Sequence, residues 1–201
     1  MRRRGLCGGF AVLLLLVAGC GTAPEPAAAP GVSASAAPTG SAGPSGPGPR
    51  PTRWPAAAAG GACQLLDYGV VEEVIGLVFD VAAGGQQEAT YTCVLQRIGS
   101  SVPDLTLTVT PSNASPAIFR TVVMPKGAAA LTGLGKVGYR AALPAVVKAG
   151  RGPGIEIGWL SGNNRIIVLR LTLAAEAQPP AADAAAPKLL DLAKRVDQTS
   201  V

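Results

Sequence analysis

The chain has 201 residues, is 48 % apolar and only 14 % charged, and carries 17 Lys+Arg against 12 Asp+Glu with no histidine. The missing imidazole excludes Ser-His-Asp and Cys-His nucleophile systems, zincin sites and histidine-ligated metals. Without Arg2, Arg3 and Arg4 the balance falls to 14 basic against 12 acidic residues, the other cations are scattered singly and aromatics are few, so no nucleic-acid partner is expected.

Behind the three arginines runs an apolar stretch from about Phe10 to Val17, closed by Leu16-Val17-Ala18-Gly19-Cys20. A basic start, a short apolar run and two small residues before a cysteine read as a lipoprotein export signal over 1–19, cut before an acylated Cys20. Arg3-Arg4-Gly5-Leu6 faintly resembles a twin-arginine signal, but the lengths fit general secretion better. No run reaches the 18 or so apolar residues of a membrane span. Attachment is therefore expected through lipid on Cys20, facing outside the cytoplasm. From residue 20 to residue 55 the composition is Ala, Pro, Gly, Ser and Thr, too poor in large apolar groups to offset ordering entropy. It reads as a tether, roughly 30 Å in reach if coil-like. A single folded extracytoplasmic domain is expected over 56–201.

Cys7 falls in the signal, which leaves Cys63 and Cys93, 30 residues apart, for a structural disulfide. A reactive or metal-binding pair would need CxxC spacing or histidine, and neither is present. Asp67 is placed to cap a helix over Tyr68 to Ile75 that Gly76 ends, with Leu66, Val70, Val71, Val74 and Ile75 on its apolar side. Leu77 to Val81 reads as a brief strand before a Gly84-Gly85 turn, and Tyr91 to Ile98 as a strand with Tyr91, Cys93 and Leu95 on one face. Asp104 to Thr110 alternates, Leu105, Leu107 and Val109 inward and the threonines outward, as in an antiparallel sheet covered on one face. Ser115-Pro116 opens a helix whose Ile118, Phe119, Val122 and Val123 are expected to face inward. Ile155 to Leu160 and Arg165 to Leu173 flank the turn Ser161–Asn164 as a hairpin, with Trp159 in the core. Pro187 to Val196 sets Leu189, Leu192, Ala193 and Val196 on one helical stripe. The order of elements predicts an α+β fold, an antiparallel sheet with helices packed against it.

Cys63-Gln64-Leu65-Leu66, a short helix ending at Gly76, a second cysteine at Cys93 and the block Gly133-Leu134-Gly135-Lys136-Val137-Gly138-Tyr139 resemble a family of two-cysteine actinobacterial lipoproteins of unknown function. The chain departs from that pattern at Leu95, where tryptophan is common, and at Lys136-Val137-Gly138, where an acidic residue and alanine are usual. The resemblance implies a PsbP-like α/β/α sandwich with a disulfide, and it brings no catalytic residue.

Other constellations read as structural. Glu72 and Glu73 diverge on a helix and cannot clasp one proton or one sugar, and no Ser-x-x-Lys occurs. Gly133-x-Gly135-x-x-Gly138 lacks the preceding strand and following helix of a dinucleotide site, and its glycines fit a tight loop entering a strand. Gly150-Arg151-Gly152-Pro153-Gly154 reads as a mobile loop, and Trp54 as packed on the domain or part of a contact surface. No cofactor, metal or enzymatic activity is expected. The first expectation is a binding domain for a protein or envelope component. The second is a carrier or sensor of a small apolar ligand. A cavity lined by Leu105, Leu107, Val109, Ile157 and Leu169 would favour the second, and a filled core with an exposed apolar patch the first.

Overall fold

Leu105, Leu107 and Val109 are buried and Thr106, Thr108 and Thr110 half-buried, so the alternation of this segment resolves into two sheet faces of opposite character. In the computed structural model, which describes residues 54–200, the strand is longer than expected, Ser100–Pro111 (β3). Six more strands join it: Val81–Gln87 (β1), Thr90–Arg97 (β2), Ala129–Leu131 (β4), Val137–Leu143 (β5), Arg151–Leu160 (β6) and Arg165–Ala174 (β7). All pairings are antiparallel, in the order β1-β2-β3-β7-β6-β5-β4. The helices are Tyr68–Ile75 (α1), Pro116–Ile118 (α2), which runs on as a π-helical turn Phe119–Val123, and Pro179–Thr199 (α3). The export signal, Cys7, Cys20 and most of the tether lie outside the described residues. Among the described residues no helix is long and apolar enough to cross a membrane.

One face of the sheet holds the main core. Cys93, Leu95, Leu105, Leu107, Ile155, Ile157, Trp159, Ile167, Leu169 and Leu171 are buried there beneath α3, α1 and the 3₁₀ turn Gly61–Leu65. The cap expected for α1 is present: Val70 N–H donates to Asp67 Oδ1 at 3.0 Å, and Gly76 ends the helix at φ +82°. The stripe Leu189, Leu192, Ala193 and Val196 is buried. Helix α3 begins eight residues before the expected start, so Pro187 lies inside it. An Ala-rich first half, Ala181 to Ala186, propagates helix strongly enough to accommodate the missing N–H of one proline.

Four other expectations are corrected. Residues 77–80 are not a strand, and Gly84-Gly85 lie within β1, which turns instead at Glu88-Ala89. Gly84 is needed because a Cβ there would stand 2.3 Å from the Ala59 carbonyl oxygen, where the incoming chain crosses the strand. The segment 150–154 is not a loop: β6 starts at Arg151, and Gly152 and Gly154 are buried against the carbonyls of Ala174 and Leu171. After Ser115 caps Ile118 N–H, Phe119 is buried and Val123 half-buried, but Ile118 and Val122 are exposed, because the π turn rotates them off the contacting stripe. This segment packs on the other sheet face, where Phe119 joins Val137, Tyr139 and Leu160 in a small second core.

In that second core the Tyr139 ring lies over Gly158, its cross-strand partner, and a Cβ on Gly158 would come within 2.4 Å of the ring. Gly158→Ala should therefore destabilise the fold by roughly 1–3 kcal/mol, measured by chemical denaturation. Cys63 and Cys93 sit at disulfide distance with Cα atoms 4.9 Å apart. Replacing both by alanine should cost roughly 3.5 kcal/mol in the chain-entropy account, read as a lower denaturation midpoint with a steeper slope, since the unlinked chain unfolds to a more open state.

Candidate functional site

The pair Cys63–Cys93 fixes the turn Gly61–Leu65 onto β2, and this sets what the next two residues do. Gln64 points to solvent and Leu65 is half-buried, because the disulfide commits their neighbour Cys63 to the core. Gln64 and Leu65 border two clefts. One, of about 330 Å³, is lined by Gly61, Ala62, Tyr91, Val109, Pro111 and Arg165. The other, of about 380 Å³, lies between the start of α1 and the end of α3, with Leu66, Val70, Leu192, Val196 and Arg195 along it. Both have an apolar floor and a cation at the margin. Arg195 pairs with Glu73 at 3.1 Å, and Arg165 is half-buried with its guanidinium 3.5 Å from the Ser200 carbonyl. Each volume suits one or two large side chains or a single ring, and both clefts lie open to solvent.

A third hollow, about 350 Å³, lies beside the glycine-rich block and is lined by Lys136, Ser161, Asn163 and Asp197 among others. Gly135 N–H donates to Asp197 Oδ2 at 3.2 Å, and Trp159 Nε1–H to Asp197 Oδ1 at 2.8 Å. Thus the loop amide that a phosphate would need is taken by a carboxylate of α3, and Gly138 already belongs to β5. Trp159 is buried in the core, as expected, with its one polar atom satisfied. Lys136 Nζ donates to Asn164 Oδ1 at 2.6 Å, which ties this loop to the β6–β7 hairpin.

The charged groups of the second sheet face pair with one another, although Asp104 Oδ1 is buried without a hydrogen-bond partner. Glu156 accepts from the Tyr139 hydroxyl at 2.7 Å and from Arg170 Nε at 2.9 Å, with Arg170 Nη2 on the same oxygen. Arg151 pairs with Asp104 at 2.7 Å, so the arginine of the expected loop faces a carboxylate of its own chain. Both oxygens of Glu156 are thereby engaged within the fold, which takes up three of its roughly four lone-pair sites. Glu72 and Glu73 do not converge on one point either; Glu73 faces Arg195 on α3. Trp54 is 83 % exposed.

The sequence reading singled out Cys63, Cys93 and Trp159, and the structure seats all three in one core. Gln64 and Leu65 belong to the motif Cys63-Gln64-Leu65-Leu66, whose pattern does not mark them as cleft residues. An apolar Leu65 next to a cysteine committed inward was the available signal. Arg165, Arg195 and Tyr91 carried none, since only the sheet register and the α1–α3 packing bring them there.

Burial, helped by the hydrogen bond to Glu156 and its charge, raises the Tyr139 hydroxyl well above its ordinary value of 10. In the unfolded chain the hydroxyl ionises near that value, while in the fold it stays protonated. Its contribution to stability is complete below about pH 10 and is lost as pH rises further. Denaturation midpoints should begin to fall as pH rises past about 10, and Tyr139→Phe should flatten that decline while costing about 1–3 kcal/mol at neutral pH.

No family model matches the chain, and neither a curated protein nor a solved structure does.

Proposed function

We propose that this chain is a lipid-anchored cell-envelope protein whose folded domain binds a protein or envelope component and catalyses no reaction. The observation that carries the reading is the pair of open apolar clefts that meet at Gln64 and Leu65. Two shallow clefts joined along one edge suit an elongated occupant that sets successive apolar groups into each. A partner segment with two anchoring side chains has that form. The arginines at the margins add orientation.

An alternative reading is a carrier or sensor of a small apolar ligand. Against it stands the packing between sheet and helices, where Leu105, Leu107, Ile157 and Leu169 are completely buried against neighbouring side chains. Val109, the fifth residue of the expected lining, borders the smaller cleft instead. Membership of the two-cysteine actinobacterial lipoprotein family and its PsbP-like fold belongs to the same proposal. It is supported by the Cys63–Cys93 pairing and by an antiparallel sheet with helices against it. Export and acylation at Cys20 rest on the sequence pattern.

A photo-reactive amino acid at Gln64 of the full chain, irradiated in its own membranes, tests the reading. It should yield one discrete adduct that Leu65→Asp reduces at least about tenfold, whereas the same probe at Asn163 should not. Equal adducts from both positions would overturn a defined cleft. A co-purifying species of a few hundred daltons in native mass spectrometry, lost on denaturation, would replace the first reading by the carrier.

A further inference from the structure

Four of the exposed large apolar side chains gather at one end of the sheet, whereas Tyr91, Ile118 and Val122 are exposed elsewhere. The β2–β3 turn, the start of β1, the β5–β6 connection and the end of β7 all fall at the same edge of the sheet, as the pairs Val81↔Gln96, Arg97↔Ser100, Asp104↔Thr172, Arg151↔Ala174 and Leu143↔Gly154 require. Val81, Ile98, Val146 and Val147 are half or more exposed or nearly so, and all four lie here. The two most prominent stand at the apices of separate connections: Ile98 is 70 % exposed and Val147 84 %.

The apices share a composition. Arg97 precedes Ile98, Lys148 follows Val147, and neither 97–102 nor 143–151 contains an acidic residue. In the larger one, Pro144 to Gly150 is exposed throughout, yet it is held in shape. Val146 N–H donates to the Arg151 carbonyl at 2.8 Å, and a 3₁₀ turn spans Val147–Ala149. The valines are thus presented by an ordered turn, and little further order is lost when they are buried. The two apices lie about three strand spacings apart, about 15 Å, and project past the same edge. Asp80 and Glu176 occupy other connections at this end and are not part of either apex.

An exposed apolar group with a cation beside it, repeated at two points on one end, matches the boundary of an anionic bilayer. The apolar group enters the acyl margin and the cation meets lipid phosphate. We infer that this end of the domain, through Ile98 with Arg97 and Val147 with Lys148, docks on an anionic lipid surface. The cleft lined by Tyr91, Val109, Pro111 and Arg165 lies toward the opposite end of the strands. The inference relies on the lipid-anchored reading only to bring the domain near a membrane.

Hydrogen exchange on the full chain attached to vesicles tests it, comparing phosphatidylcholine with phosphatidylglycerol against phosphatidylcholine alone. Amides in 97–100 and 145–150 should exchange about fivefold more slowly on the anionic vesicles, the factor expected at each tip from its one cation near the surface. Those of the far hairpin 161–164 should not change. Ile98→Asp with Val147→Asp should abolish the slowing at an unchanged Tm, since both side chains project into solvent. Equal exchange on the two vesicle types, or equal slowing at 161–164, overturns the inference. The intact mass reports acylation at Cys20 separately. An acylated chain with unaffected tips sinks only the docking end, and slowed tips on a chain without acyl groups sink only the anchor.

Discussion

Strands β3 and β7 pair over eight positions, Asp104↔Thr172 through Pro111↔Arg165, although more than fifty residues of chain separate their closest ends. On one side of this seam lies the meander β1-β2-β3, and on the other the group β7-β6-β5-β4. The register along it decides which side chains share a face. Leu105, Leu107 and Val109 line up with Leu171, Leu169 and Ile167, forming the central rows of the core. A slip of one residue would turn Leu105, Leu107 and Val109 away from the core and bury threonines instead, so the seam is held by the hydrophobic pattern on both strands. The closure of a long loop precedes any reward from this pairing, which makes it the expensive step of the topology.

The same seam explains why the two faces differ. Odd positions of β3 and β7 feed a core roofed by α1 and α3, whereas even positions carry threonines, Arg170 and Thr172. Charge that enters the second face is neutralised within it: Glu156 by Arg170 and Asp104 by Arg151, each carboxylate buried and each guanidinium partly in water. Such pairs contribute little net stability after desolvation, but losing one partner would strand a buried charge. They fix the strands' alignment more than they add energy.

The features legible in the sequence were those written in a single element. Alternation in β3, the Asp67 cap, the Ser161–Asn164 turn and the α3 stripe depend on neighbours within a few residues. What stayed hidden depends on partners far away. Gly84-Gly85 signals a turn until Ala59 crosses β1, and Gly152-Pro153-Gly154 signals a loop until β7 closes against it. Ala129–Leu131 is three small or ordinary residues that become β4 only because β5 is beside them. The clefts follow the same rule: Gln64 and Leu65 belong to a quoted motif, while their walls come from β2, β3, β7 and α3.

The disulfide also has a mechanical side. Anything that pulls on the chain ahead of Trp54 loads the domain first through the turns Ala56–Ala59 and Gly61–Leu65. The backbone hydrogen bonds of those turns run within them, so the residues ahead of Cys63 would peel first. At Cys63 the load path changes: it passes through a covalent bond into β2, which is paired on both sides, and from there spreads across the sheet in shear. Extension would therefore stop after a handful of residues, with the sheet and everything mounted on it still intact. The bond acts as a strain relief that confines the damage of a pull to the residues ahead of Cys63.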